Sequence, residues 1–225
     1  RSLVRISSLD ALLLLHSAYP TTQNDAVFFG PDSYRFARFL QAELPRLGPR
    51  KHLVDIGTGT GGGALVAARA SAIERLTLTD INPHALRFAR INAAMAGIAV
   101  ETNLTSTLDA INGDIDCIIA NPPYIADPAH RAYRDGGALH GGEVSLAWTQ
   151  SAARRLKSGG AFLLYTGSAI IAGEDQLKTA LLDALPDFDV RYAELDPDVF
   201  GEELEQPAYA DAERIAAIGL VAIKR

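Results

Sequence analysis

The run Leu53-Val54-Asp55-Ile56-Gly57-Thr58-Gly59-Thr60-Gly61-Gly62-Gly63 joins a short apolar segment to a dense set of glycines. Leu53 to Ile56 reads as a buried strand, and the small-residue segment Ala64 to Ala72 beyond the glycines reads as a helix. Glycines at such a junction let the backbone approach a ligand with no Cβ in the way. The helix N-terminus that follows offers free N–H groups to an anionic part of it. Gly57-x-Gly59-x-x-Gly62 satisfies the dinucleotide fingerprint, and Asp80 closes the next strand where an acid holds ribose hydroxyls. Loop and acid together point to an adenosine-containing cofactor, with NAD one such group.

Outward from this loop the pattern alternates. Leu76 to Thr79 is a second strand and Pro83 to Ala96 a second helix; Val100 to Leu104 and Ile115 to Ala120 are strands three and four. Ser145 to Leu156 is a helix, and Gly159-Gly160 is expected to break the chain before strand five, Ala161 to Thr166. A helix over 174–185 precedes strands Phe188 to Leu195 and Ile215 to Lys224, which no helix separates, so they form an antiparallel pair closing an otherwise parallel sheet. Upstream, Asp32 or Ser33 is expected to cap a helix with an apolar face of Tyr34, Phe36, Ala37, Phe39, Leu40 and Leu44, ending near Pro45. Residues 1–29 carry two β-rich runs, Leu3 to Ile6 and Ala11 to His16. They read as an N-terminal extension, a strand or hairpin open to being the end of an upstream domain, ahead of a catalytic domain over 30–225. The architecture expected is α/β: a doubly wound sheet of seven strands, mostly parallel with an antiparallel C-terminal strand, whose order reverses beside strand one.

Strand four runs into Asn121-Pro122-Pro123-Tyr124. Two successive prolines stop the sheet ladder and hold a stiff loop whose carbonyls need not enter secondary structure. The Asn121 side-chain oxygen and the Pro122 carbonyl are suited to accept the two hydrogens of a planar –NH2 group, while the Tyr124 ring lies against its conjugated plane. The competing reading is a rigid Asn-Pro turn with a core tyrosine. An NAD enzyme needs a further catalytic domain, for which 225 residues leave little room.

Composition bounds the rest. Nearly half the residues are hydrophobic, enough for one sizeable core, and no apolar run approaches the ~20 residues that span a bilayer. The single cysteine, Cys117, sits inside a strand and the five histidines are scattered, so neither a disulfide nor a metal is implied, and a cytoplasmic location is expected. Surface or packing roles are assigned to the histidines, with His140 the one nearest to a functional place. Trp148 reads as core, Arg131 and Arg134 as a solvated loop, and Glu202, Glu203 and Glu205 as an exposed hairpin tip. The net charge of −6 is unevenly spread: residues 1–51 hold seven Lys/Arg against four Asp/Glu, and 174–213 hold thirteen acids against two bases. A bare polyanion is disfavoured beside the second segment.

Asp55 ahead of the glycines, Asp80-Ile81-Asn82-Pro83 after strand two and Asn121 to Tyr124 after strand four resemble the class I S-adenosylmethionine-dependent methyltransferases, in particular those that methylate planar nitrogens. The likeness covers about residues 28–170. Within that group the chain is similar to the small-domain methyltransferases, which include the release-factor glutamine N5-methyltransferases. Pro31-Asp32-Ser33 resembles their Pro-x-(Glu/Asp)-(Thr/Ser) element, and Gly141-Gly142-Glu143 their Gly-Gly-Glu element. The resemblance implies a Rossmann-like fold and S-adenosylmethionine as cofactor. Gly57, Thr58, Gly59 and Gly61 pass its methionine end, Asp55 orders that loop and the cofactor's amino group, Asp80 accepts from the ribose and Ile81 packs on the adenine. Asn121 borders both cofactor and substrate, and with Pro122 and Tyr124 forms the catalytic group. The family's third strand usually ends in an Asp that contacts the adenine; here Asn103-Leu104-Thr105-Ser106 has no acid, which leaves the hydroxyls of Thr105 and Ser106 for that contact. The helical N-terminal domain of bacterial glutamine methyltransferases has no counterpart in these residues, so the substrate does not follow from the fold. Three functions are consistent with this reading. They are N-methylation of a protein glutamine, which the charge distribution favours; methylation of an exocyclic base amine in RNA or DNA; and a cofactor-binding module without catalysis.

Overall fold

A computed structural model describes residues 2–225, which form two compact units divided between Asn121 and Pro122. The first unit opens with an antiparallel hairpin, β1 (Val4–Leu9) and β2 (Leu12–Ser17), in which Ile6 faces Leu15. Alternation sorts its side chains: Leu9, Leu12, Leu14 and His16 are buried on one face, while Val4, Ile6 and Leu13 are exposed on the other.

Helix α1 (Pro31–Leu47) buries Phe36, Ala37, Phe39, Leu40 and Leu44 of the face expected, while Tyr34 is exposed and the helix runs past Pro45. Its start differs from expectation. Pro31 has the fixed φ suited to a first helical position, so Gly30 becomes the N-cap and its N–H donates to Ser33 Oγ at 3.3 Å, while Asp32 turns inward and is buried.

The parallel sheet of this unit consists of β3 (Arg50–Ile56), β4 (Ile73–Asp80), β5 (Glu101–Leu104) and β6 (Ile115–Ala120), in the order β5-β4-β3-β6. Helices α2 (Gly62–Ala70) and α3 (Pro83–Ala96) connect its first three strands. The order reverses beside β3, which puts the loops after β3 and β6 next to each other at the strand C-termini. Leu53, Val54, Leu78, Ile118 and Ile119 are wholly buried, and every residue of β6 is buried. Burial pushes the Cys117 thiol up to about 12, so it stays protonated and packs as a small apolar side chain.

The second unit contains α4 (Glu143–Arg155), β7 (Leu156–Ile171), the two-residue β8 (Glu174–Asp175), α5 (Gln176–Asp183), β9 (Phe188–Asp196) and β10 (Arg214–Lys224). β10 is antiparallel to both β7 and β9. The expected break at Gly159-Gly160 is absent: β7 runs through both glycines, and its pairing with β10 begins just beyond them, at Ala161. With the four parallel strands of the first unit, β7, β9 and β10 complete the seven principal strands of a Rossmann-like α/β fold. No helix among the described residues is long and apolar enough to cross a membrane.

Leu53, with no exposed surface at the centre of the parallel sheet, is a direct test of this core. Leu53→Ala is expected to destabilise the protein by about 3 kcal/mol, read as a lowered urea midpoint at unchanged slope.

Candidate active site

The glycine loop turns sharply between β3 and α2. Gly57, Gly59 and Gly61 have φ of 64°, 54° and 80°, the left-handed region that a side chain penalises. Two carboxylates hold the loop from within the first unit. Asp55 Oδ2 accepts from Thr58 Oγ1 at 2.7 Å and from the Ala64 N–H, in the first turn of α2, at 3.2 Å. Asp80 Oδ2 accepts from the Gly59 N–H and its Oδ1 from the Asn82 N–H, both at 2.9 Å. The Thr58 N–H donates to the Thr79 carbonyl at 2.9 Å, pinning the loop to the end of β4.

Asp55 is 2% exposed, and this burial, with the Asp80 charge as a further contribution, raises its carboxyl to about 7 against the opposing hydrogen bonds from Thr58 and Ala64. Asp80 is also raised, first by burial.

The loop has the room and the chemistry for an adenosine cofactor. A Cβ built on Gly59 meets nothing within 4 Å, so open space lies beside that backbone. Ile81, just past Asp80, is 58% exposed, and Leu104, at the end of β5, is exposed as well. The Asp80 oxygens accept from the Gly59 and Asn82 N–H groups, and a carboxylate has about four acceptor positions, which leaves capacity for a ribose hydroxyl. Of the two hydroxyls proposed for adenine, Thr105 Oγ1 is engaged with the backbone of Thr107, whereas Ser106 is exposed.

Register places Asn121. Ala120 pairs with Ile56, so Asn121 leaves β6 level with Gly57, where the glycine loop leaves β3. Its side chain is half-buried, and among the described residues none hydrogen-bonds its carboxamide.

Pro122 and Tyr124 belong to the second unit. The Tyr124 ring is seated on Gly167 of β7, where a Cβ would fall 2.3 Å from Cδ2, and the rings of Tyr165 and Phe200 meet it edge-on at 6.4 and 5.9 Å. Tyr124 is only 5% exposed. The following glycines are explained by its backbone: a Cβ on Gly141 would lie 2.3 Å from the Tyr124 carbonyl oxygen, and one on Gly136 would lie 2.7 Å from Tyr124 Cα. Glu143 Oε2 accepts from the Ala138 N–H at 2.8 Å, closing the 136–143 turn.

Several expectations are corrected here. Arg131 and Arg134 are half-buried and paired rather than free in a solvated loop: Asp127, buried, takes Arg131 at 2.6 Å, and Arg134 pairs with Glu203. Arg131 holds the Asp127 carboxyl at about 2. Glu203 is therefore buried rather than part of an exposed tip, and Trp148 is half-buried rather than core. The histidines are all partnered: His16 with Ser7 and Ser17, His52 with Asp114 and Thr77, His84 with Asp25, His130 with Asp135, and His140 with Asp211. Sequence reasoning missed Gly167, Phe200, Tyr209 and Asn92. Of these only Asn92 carries a readable signal, a polar residue on the apolar stripe Ala85, Leu86, Ala89, Ala93 of α3.

A reversing parallel sheet with a glycine loop, an acid after the second strand and Asn-Pro-Pro-Tyr after the fourth defines a nucleoside-cofactor enzyme of the Rossmann-like class. Residues 22–181 match the methyltransferase small domain, and the chain belongs to that family of S-adenosylmethionine-dependent methyltransferases. The family removes NAD as the cofactor. A release factor glutamine methyltransferase from Deinococcus radiodurans is 35% identical over 168 residues, covering 72% of this chain and 58% of the relative. A ribosomal protein L11 methyltransferase from Geobacter metallireducens is 36% identical over 93 residues, covering 41% of this chain and 30% of the relative. Among solved structures, a T. thermophilus 16S rRNA methyltransferase in complex with AdoMet and guanosine shares the fold, with a TM-score of 0.64 at 20% identity, over 100% of this chain and 52% of that one. The chain thus spans between about a third and three fifths of the length of these proteins.

Two outcomes follow from the carboxylates. Asp55, raised to about 7 in the fold, stabilises the native state in its protonated form below the unfolded value of about 3.8, and that contribution is lost as pH rises through about 7. Asp55→Asn is therefore expected to flatten the fall in unfolding free energy between about pH 4 and 7, by a few kcal/mol, in denaturant titrations across that range. Asp80→Ala removes the carboxylate that the family resemblance assigns to the ribose hydroxyls. It is expected to weaken S-adenosylmethionine by roughly 1.5–3 kcal/mol in calorimetry. Tight NAD binding with no response to S-adenosylmethionine contradicts the assignment.

Proposed function

We propose that the chain is an N-methyltransferase acting on a planar nitrogen, with the side-chain amide of a protein glutamine as the favoured acceptor. The observation that carries this reading is the Asn121 carboxamide, half-buried at the end of β6, level with Gly57, and bonded to none of the described residues. The glutamine methyltransferase relative, matching 72% of the chain, supports the choice of acceptor.

In this reading Gly57, Thr58, Gly59 and Gly61 hold the methionine end of S-adenosylmethionine, Asp55 orders the loop and meets the amino group, Asp80 holds the ribose, and Ile81 with Ser106 borders the adenine. When bound, the cofactor supplies a methyl group on a positively charged sulfur. Asn121 Oδ1 and the Pro122 carbonyl accept both hydrogens of the acceptor –NH2. They fix the nitrogen in place and stabilise it as its lone pair turns out of conjugation. Tyr124, 5% exposed and seated against Gly167 and Phe200, offers the substrate plane little of its ring and serves mainly to fix the backbone of the loop. The catalytic domain is taken as 30–225, with 1–29 as its N-terminal extension and the cytoplasm as its location.

Charge supports a protein substrate. Within the second unit the acidic stretch is fastened to the loop after Tyr124: Glu203 pairs with Arg134, Asp211 with His140, and the Tyr209 hydroxyl accepts from the Ala126 N–H and donates to the His140 carbonyl. Glu202 and Glu205 stand exposed on that stretch, where they repel phosphates. Methylation of an exocyclic base amine in RNA or DNA is the second reading, supported by the seven Lys/Arg of residues 1–51 and by the guanosine in the T. thermophilus complex.

Asn121→Ala is expected to leave S-adenosylmethionine affinity within twofold while methyl transfer to a bacterial release factor falls at least a hundredfold in kcat. Equal loss of cofactor affinity makes Asn121 a turn residue instead. Retention on mixed RNA between low and physiological salt separates the two substrate classes. Weak, salt-insensitive retention is expected, and steep log–log salt dependence with label on adenine or guanine amines overturns the protein reading.

A further inference from the structure

Asn92 lies on α3 with 2% of its surface exposed, and every hydrogen-bonding position of its carboxamide nitrogen is used. Its Oδ1 accepts from the Leu15 N–H of β2 at 2.7 Å, and its Nδ2 donates to the Leu15 carbonyl at 3.1 Å and to the Thr60 carbonyl at 2.9 Å. One N–H and two carbonyls around the amide allow a single orientation, because the flipped form would set an acceptor against two acceptors. The hairpin backbone therefore aims the remaining N–H of Asn92 at the middle of the glycine loop.

Other contacts from the N-terminal residues converge on the same loop. Leu14 Cδ1 and Leu9 Cδ2 lie 3.2 and 3.9 Å from where a Cβ on Gly62 would stand. One helical turn before Asn92, Ala89 Cβ is 3.1 Å from the corresponding point on Gly61. On the other side of the loop, Asn82 Nδ2 donates to the Asp25 carbonyl at 2.8 Å, and the Asn82 N–H donates to Asp80 at 2.9 Å. Two asparagines thus tie segment 15–25 to the two ends of the site, Asn92 at Thr60 and Asn82 at Asp80.

We infer that Asn92 is a positioning residue of the cofactor site, through which the docked β1–β2 hairpin sets the geometry of the glycine loop and hence the affinity for the cofactor. This rests on the reading of 57–63 as the cofactor loop. Residues 2–29 are then a working wall of the site, and anything that loosens the hairpin weakens cofactor binding without touching a cofactor-contacting residue. Linkage makes the effect reciprocal: a ligand that orders the loop also secures the hairpin.

Amide hydrogen exchange and calorimetry on the full chain with S-adenosylhomocysteine test this. In the wild type, saturating S-adenosylhomocysteine is expected to slow exchange at residues 12–17 of β2 by about tenfold or more, a response that a merely structural asparagine does not produce. Asn92→Ala is expected to weaken S-adenosylhomocysteine about tenfold at a temperature where circular dichroism shows the variant folded, and to abolish the ligand-dependent protection of β2. Should the variant not fold, the wild-type exchange result decides by itself. Ligand binding with unchanged exchange in β2 overturns the role of Asn92 and leaves the cofactor reading standing. Failure of the wild type to bind S-adenosylhomocysteine overturns both.

Discussion

The backbone between Ile56 and Gly62 must leave a buried strand, open toward solvent and enter a helix within a few residues, and two carboxylates make that path stable. Asp55 reaches forward to Thr58 and the start of α2; Asp80, from the neighbouring strand, reaches across to Gly59. Without them the Gly59 and Ala64 N–H groups would lose their acceptors, and the three left-handed glycines would be held by the remaining backbone bonds alone, Thr58 to Thr79 and Gly61 to Thr58. The reversal of strand order beside β3 then sets Asn121 at the level of that loop. One backbone arrangement therefore brings the glycine loop and Asn121 to the same end of adjacent strands.

A different device governs the second unit. The loop after Tyr124 carries no regular element before α4, and it is held by side chains: Asp127 to Arg131, Arg134 to Glu203, His140 to Asp211, and the Tyr209 hydroxyl between Ala126 and His140. Phe200, in the left-handed region at φ 55°, meets both the Tyr124 ring and the Arg134 guanidinium. Burial of the Asp127 and Glu203 carboxyls is tolerated because each has an arginine at hand. The result is a frame for the residues that follow the strand, built for the most part from contacts far apart in sequence.

That separation explains what the sequence made legible and what it hid. The alternation of strands and helices, the glycine loop, Asp55, Asp80 and Asn121 were all readable because each signal is local: a period, a punctuating glycine, an acid at a strand end. Arg134 looked like part of a solvated loop because nothing local distinguishes a charge that meets its partner 69 residues away from one that meets water; the Arg131–Asp127 pair is only four residues apart but lies in an irregular loop, where no helical period signals that the two side chains meet. Gly167 was unreadable for a similar reason: its lack of a side chain matters only because Tyr124, from another loop, rests on it. Strand ends were misjudged where polar residues such as Arg50 and Lys51 extend β3 below its apolar run, since ladder bonds do not require apolar side chains.

The central claim is that Asn121 and its loop present an amide nitrogen to S-adenosylmethionine held by the neighbouring glycine loop. The most direct measurement incubates the protein with isotopically labelled S-adenosylmethionine and a bacterial release factor, then locates the label by peptide fragmentation mass spectrometry. The account predicts one labelled methyl group on the side-chain nitrogen of a glutamine. Label confined to co-purifying RNA, or to a side chain other than an amide, contradicts it.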